Sequence, residues 1–248
     1  MPPRSPRHGA KIQKLLLLFA FAARGDSSRV QPLQPSSESI RNVLFSLTRG
    51  IEAIPLLQQR SRCLSFSLDR TLLFDEVIFH AGNLQPVQLA GVERARPPRL
   101  VDVRDYEGFI MPELDHASIE RVRRMSPEDI GYRHMCRFMS MSWFKALALY
   151  EYAMRVDDDV CVRNFGSNPF LFMQQRELVY GYAVVQTDES HAETLATLPL
   201  WLSSHLANAN LTTQYEVHKL VSPIYFTNFF ISRVDWWLQA EVSDHLRG

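Results

Sequence analysis

Asp157-Asp158-Asp159 is the stretch of this sequence best suited to chemistry. Apolar residues flank it, with Ala153, Met154 and Val156 before and Val160 and Val162 after. Adjacent acidic residues are commonly solvated turns. Three at the end of a buried strand repel one another, and something must offset that repulsion. Successive side chains of an extended segment alternate faces, so Asp157 and Asp159 point the same way. Two hard oxygen donors on one side suit Mg2+ or Mn2+, ions that also bridge a diphosphate. Arg155 shares that face and can meet a phosphate or hold a carboxylate.

Strands and helices must hold these groups, and the hydrophobic pattern indicates which. Ile40, Val43, Leu44 and Leu47 have helical spacing after a serine cap; Gly50 weakens that helix and Pro55 should end it. Val77-Ile78-Phe79 reads as a buried strand closed by Ala81-Gly82-Asn83, and a short alternation follows over 87–92. Leu100-Val101-Asp102-Val103 reads as another strand. The patterns over 118–125 and 142–154 are helical. Residues 155–162 read as strand, acidic turn, strand. A helix over 169–178 and a strand over 179–185 follow, and 224–238 is strongly apolar and aromatic. Strands alternating with helices predict an α/β layered domain.

The 248 residues suffice for one large domain or two small ones. With 27 Lys+Arg against 27 Asp+Glu, the chain lacks the basic excess of a protein that wraps nucleic acid, so that class is disfavoured. Apolar residues at 46% and charged residues at 22% argue against disorder, collagen or coiled coil. No Walker-type or G-x-G-x-x-G motif supports a kinase or dinucleotide enzyme. The histidines, His80, His116, His134 and His191 among them, lack metal-ligand spacing and read as surface or core groups. Of Cys63, Cys136 and Cys161 at most one pair can bridge, and Cys136–Cys161 in an oxidising lumen is one candidate. Arg94, Arg96, Arg99 and Arg104 read as a solvated basic loop, and Trp236-Trp237 as core packing or a sugar-stacking platform.

Residues 1–25 have the layout of a secretory signal or signal anchor: Arg4, Arg7, Lys11 and Lys14, then an apolar run over 15–23. A mitochondrial presequence shares that layout. No apolar run is long enough for a clear membrane span. Residues 26–36, rich in Ser, Pro and Gln, read as a stem or linker, leaving 37–248 as the folded domain. The sequon Asn210-Leu211-Thr212 agrees with luminal passage.

Six ordered motifs then narrow the reading. Tyr132-Arg133-His134-Met135-Cys136-Arg137-Phe138, followed by Arg155-Val156-Asp157-Asp158-Asp159-Val160, resembles the Y-x-x-M-C-R-F and R-V-E-P-D-V segments of the fungal α-1,2-mannosyltransferases, glycosyltransferase family 15. Asn168-Pro169-Phe170-Leu171-Phe172-Met173 is similar to that family's D-P-F-x-F-M, and Tyr180-Gly181-Tyr182 to its Y-G-F. Glu193-Thr194 with Thr197-Leu198-Pro199-Leu200-Trp201 is similar to its E-T-I-P-T-L-W, and Thr227-Asn228-Phe229-Phe230-Ile231 to its S-N-F-E-I. More faintly, Val77-Ile78-Phe79-His80 is similar to its I-I-F-H strand.

The resemblance implies a nucleotide-sugar transferase on one Rossmann-like sheet, a single-domain fold of GT-A type. Its donor would be GDP-mannose, its acceptor a mannosylated glycan or glycoprotein, its metal Mn2+ (or Mg2+), and its product a retained α linkage made in the Golgi lumen. Membrane contact would run only through the N-terminal segment, and no nucleic acid is expected. Asp157 matches the motif's first carboxylate and, with Asp159, would hold the metal. Tyr132, Arg155 and Asp157 would be catalytic, and Arg137, Tyr180 and Asn228 would bind substrate. The sequence departs from the pattern at several positions. Met154 stands where the family has Trp, Asp157 where it has Glu, Asp158 where it has Pro, and Phe230 where it has a Glu suited to act as nucleophile or cation stabiliser. The chain also ends before the family's closing acidic, tryptophan and histidine segment, so the fold is expected to be incomplete at its C-terminus. The alternative function is a catalytically inactive carbohydrate- or nucleotide-sugar-binding relative.

Overall fold

The computed structural model describes residues 31–68, 72–89, 97–106, 129–162, 165, 167–183, 185–186, 224–225 and 229–240, with isolated positions at 120, 200, 203–204, 207–208 and 242. The segment at 1–25 expected to be a signal or anchor, the sequon at Asn210, the motif at 193–199 and Asn228 lie outside the described residues, as does the expected helix at 118–125 apart from Glu120.

The chain divides into two compact units. The larger runs over 25–183 and 227–246 and carries a six-stranded sheet. Its strands are β1 (Asn42–Thr48), β2 (Asp75–His80), β3 (Arg99–Asp102), β4 (Tyr152–Val156), β5 (Tyr180–Tyr182) and β8 (Phe229–Arg233). Their spatial order is β3-β2-β1-β4-β8-β5. The strands β3, β2, β1 and β4 are parallel; β8 runs antiparallel to both β4 and β5. The smaller unit contributes a separate two-stranded antiparallel ladder, β6 (Val185–Gln186) with β7 (Ile224–Tyr225). The expected Rossmann-like α/β architecture holds.

Helices cover the sheet: α1 (Ile54–Ser67), α2 (Asp129–Met141), α3 (Trp143–Ala146), α4 (Pro169–Gln175) and α5 (Val234–Leu238). Two large cores result. On one face Val43, Phe45, Leu47, Val77 and Phe79 pack with Phe138, Trp143, Phe144 and Phe230. On the other, Leu44, Met154, Val156 and Ile231 pack with Leu64, Phe170 and Met173.

This two-sided burial overturns the helix expected around Ile40 to Leu47. The segment is β1, and Val43, Leu44, Phe45 and Leu47 are all buried because a central parallel strand has both faces covered. Such a continuous apolar run matches the helical period by coincidence. Pro55 likewise does not end a helix. It stands in the first turn of α1, where a missing N–H costs nothing. Gly50 precedes that helix at φ +102°, and an added Cβ there would lie 1.8 Å from the Asn83 side chain.

Other boundaries shift too. The helix expected over 142–154 is only α3, after which the chain turns and Tyr152 enters β4. The alternation at 87–92 is a 3-10 turn, Pro86–Leu89, over its described part. Residues 160–162 form no strand, and the expected 179–185 strand is β5 followed by the separate β6. Helix α2, which carries the first motif, has no counterpart in the predicted elements. The disulfide is Cys63–Cys161, not Cys136–Cys161, and Cys136, on α2, is not part of it. The Trp236-Trp237 pair resolves toward packing. The Trp237 ring stacks on Phe144 at 6.0 Å and its indole N–H donates to Ser232 Oγ at 2.6 Å.

Candidate active site

The strand order reverses at β1. From it the chain proceeds to β2 and β3 on one side, and β4 pairs on the other. In open α/β sheets the crevice beyond the C-terminal ends of the strands at such a switch point is the ligand site. Thr48 ends β1, and Val156 ends β4 and leads directly into Asp157. The acidic triplet therefore lies at the switch point.

Its local geometry is a turn closed by the Val160 N–H donating to the Asp157 carbonyl at 3.1 Å. The anticipated alternation holds at its start. Arg155 clasps Asp157 with two charge-assisted bonds, Nε to Oδ1 at 2.6 Å and Nη2 to Oδ2 at 2.9 Å. Arg155 is buried, so of its two anticipated roles the structure gives it the carboxylate. Asp158 receives a hydrogen bond from Thr48 Oγ1 at 2.9 Å, which ties the end of β1 to the turn after β4. Asp159 is exposed.

Burial pushes the Asp157 carboxyl above the ordinary carboxylate range. The Arg155 guanidinium opposes that shift without cancelling it, and Asp158 and Asp159 add to it. Asp158 is also raised, first by burial and then by Asp159, against the Thr48 hydrogen bond and the charges of Arg60 and Arg49. Crowded carboxylates of this kind bind a hard cation readily, and the donors are all oxygen, so the set fits Mn2+ or Mg2+. Asp157 can hold Arg155 and a cation together because each carboxylate oxygen has two acceptor sites. Among the described residues no group of three or more His, Cys, Asp or Glu surrounds a common point. Such a cation would therefore draw its remaining ligands from a diphosphate and water.

The same edge carries His80 at the end of β2 and, paired with it in register, Asp102 at the end of β3. His80 is buried and its Nδ1 accepts from the Gly82 N–H at 3.0 Å. Burial lowers its imidazole, with Asp102 opposing and Arg104 assisting. Asp102 holds Arg104 at 2.6 Å, which lowers its own carboxyl.

The other expected site residues are more scattered. Tyr132 and Arg137 stand on α2; Arg137 is half-buried, and nothing of the Tyr132 side chain is described. Tyr180, on β5, stacks its ring on Phe230 at 5.5 Å. Phe230 pairs directly with Arg155 across β4 and β8, so the residue in place of the family's Glu is a neighbour of the clasped arginine. Its ring is buried against Phe45 and Trp143. Sequence reasoning missed Thr48 because β1 was read as a helix, and passed over Asp158 because the similar family has Pro there. The rule that strand ends at a switch point carry function would have found both.

The model of the glycolipid 2-alpha-mannosyltransferase family matches residues 103–237, more than half of the chain. The chain is 32% identical over 119 residues to O-glycoside alpha-1,2-mannosyltransferase homolog 4 of Schizosaccharomyces pombe, covering 47% of this chain and 26% of that protein. It is 30% identical over 129 residues to O-glycoside alpha-1,2-mannosyltransferase omh1 of the same yeast, covering 45% of this chain and 31% of that one. The chain thus spans between a quarter and a third of these relatives' length. Among solved structures it is similar to core-mannan synthase A from Aspergillus fumigatus in its Mn/GDP form, with TM-score 0.65 and 19% identity over 90% of this chain and 70% of that chain. It is also similar to the mannosyltransferase Ktr4p from S. cerevisiae in complex with GDP, with TM-score 0.64 and 14% identity over 100% of this chain and 72% of that chain. At these identities the two structures bear on the fold.

Proposed function

The chain belongs to the glycolipid 2-alpha-mannosyltransferase family, and from that premise we propose that it transfers mannose from GDP-mannose to a mannosylated glycan or glycoprotein, with retention of the α linkage. The observation that carries this reading is the acidic turn at the switch point, joined to the end of β1 by the Thr48–Asp158 hydrogen bond. That is where an α/β sheet receives a nucleotide. A relative of the same fold is described in a Mn/GDP form, which supports a nucleotide-diphosphate ligand here.

In this reading Asp157 and Asp159 hold Mn2+ (or Mg2+). When bound, the cation supplies Lewis-acid stabilisation to a departing diphosphate. Arg155 fixes the Asp157 carboxylate rather than meeting a phosphate. Thr48 fixes Asp158 and so the curvature of the turn. Tyr132, Arg137, Tyr180 and Asn228 remain the proposed contacts to donor and acceptor. The protein acts in the secretory pathway, in the Golgi lumen, held or delivered by its N-terminal segment. The Cys63–Cys161 disulfide supports an oxidising compartment.

The test is mannose transfer from GDP-mannose with Mn2+, in wild type and in the double variant Asp157→Ala, Asp159→Ala. Turnover should vanish in the variant. Equal turnover in both would remove the metal role, and GDP-mannose binding without any turnover in wild type would favour the inactive-relative reading.

A further inference from the structure

Helix α1 touches the acidic turn on both sides, and does so with one face. Arg60 Nη1 donates to the Val156 carbonyl at 3.0 Å, immediately before the triplet. Cys63 is bonded to Cys161, two residues after it. Ser67 Oγ donates to the Val162 carbonyl. Positions 60, 63 and 67 are three and four apart, the spacing that places side chains above one another on a helix. Leu64, on the same stripe, packs in the core cluster that holds Val156, with Val160 and Val162 against it. The Arg60 side chain is fully buried and its second Nη is neutralised by Glu76 on β2, so the helix is itself anchored to the sheet.

A cross-link that only stabilised the fold could join any two distant segments, since it acts largely on the unfolded chain. This one lies at the exit of the triplet and is doubled by a hydrogen bond one residue on, while a third contact holds the entry. We propose that α1 is a splint, in which the Cys63–Cys161 disulfide, with Arg60 and Ser67 as further positioning residues, holds Asp157, Asp158 and Asp159 in the geometry that binds a metal–nucleoside diphosphate. This deepens the nucleotide-sugar reading above and rests on it. A site displaced by about 1 Å can lose two orders of magnitude in function.

The experiment compares wild type, Cys63→Ser with Cys161→Ser, Ser67→Ala, and Val234→Ala. The last removes apolar volume from the opposite core and serves as a stability control. Hydrogen exchange of amides 158–162 should accelerate about tenfold or more in the double cysteine variant, and less in Ser67→Ala, which keeps the disulfide. It should stay at the wild-type rate in Val234→Ala. The affinity for GDP with Mn2+, by calorimetry, should fall about tenfold in the double variant and hold in the control. Wild-type exchange at those amides in the cysteine variant, or equal acceleration in Val234→Ala, overturns the splint. If the cysteine variant does not fold, Ser67→Ala decides: unchanged exchange overturns the proposal. Wild-type protein that fails to bind GDP overturns the nucleotide-sugar reading instead, so the two failures are separate.

Discussion

Phe230→Glu is the substitution that would restore the carboxylate of the similar family's N-F-E-I motif, and the structure says it should harm this protein. The Phe230 ring is buried, with centroids at 6.0 Å from Phe45, 5.5 Å from Trp143 and 5.5 Å from Tyr180. Removing a buried aromatic ring costs about 3–5 kcal/mol. The incoming carboxylate must also leave water, and the cation directly across the ladder is Arg155, already clasped to Asp157. The introduced carboxylate would therefore compete for that guanidinium, and its gain would be a loss to Asp157. Taking a urea m-value of about 3 kcal/mol/M for a chain of this size, the unfolding midpoint should fall by between about 1 and 1.7 M. Tryptophan fluorescence in urea measures it, with Phe230→Leu as the volume-tolerant control, expected to lose about 1.5 kcal/mol or less. A Phe230→Glu midpoint within about 0.3 M of wild type, together with increased mannose transfer, would refute this reasoning and place the 230 side chain in an open site.

Three further outcomes follow from the geometry. Thr48→Val keeps the side-chain shape but removes the donor to Asp158, so stability should drop by about 1 kcal/mol and GDP–Mn2+ affinity should fall, both measurable by calorimetry. Gly50→Ala should cost about 1–2 kcal/mol, because it puts a Cβ at φ +102° against the Asn83 side chain; an unchanged melting temperature would contradict that. Asp75 is buried and accepts from Ser36 and, at 2.6 Å, from the Tyr150 hydroxyl. Burial alone would raise its carboxyl, but those hydrogen bonds and Arg99 together hold it below the ordinary value. The folded state thus keeps this charge more tightly than the unfolded one. The stability it contributes is full above the ordinary carboxylate range and is lost as the pH falls through its folded value. The stability gap between wild type and Asp75→Asn, from urea curves at several pH values, should be flat near neutrality and shrink below about pH 4.

How far the site was legible depended on whether its determinants were local. The alternation of an extended chain is local, and it correctly put Arg155 beside Asp157. The turn at the triplet was legible too, but β4 only at Arg155 and Val156, because the apolar run over 152–154 continues the helical pattern that precedes it. The β1 segment was not, because a strand buried on both faces loses its period-two signature and left Ile40, Val43, Leu44 and Leu47 to imitate a helix. That error hid Thr48, whose partner Asp158 is 110 residues away. Pro55 is compatible with the first turn of a helix as well as with its end, and only the packing of Leu57 and Leu64 decides. The cysteine partner was equally non-local. Cys63 and Cys161 are 98 residues apart, and α1, which brings them together, was not among the predicted elements. The anchoring of Leu33 to the Ala146 carbonyl and of Ser36 to Asp75, at the end of the stretch read as a linker, likewise has no signal in composition.

The central claim is that the acidic turn at the β1–β4 switch point holds a metal–nucleoside diphosphate. Titration of GDP into the purified protein, with and without Mn2+, tests it most directly when repeated on the Asp157→Ala, Asp159→Ala variant. Binding in wild type should depend on Mn2+ and disappear in the variant. Equal GDP binding in wild type and variant, or binding indifferent to Mn2+, would contradict it.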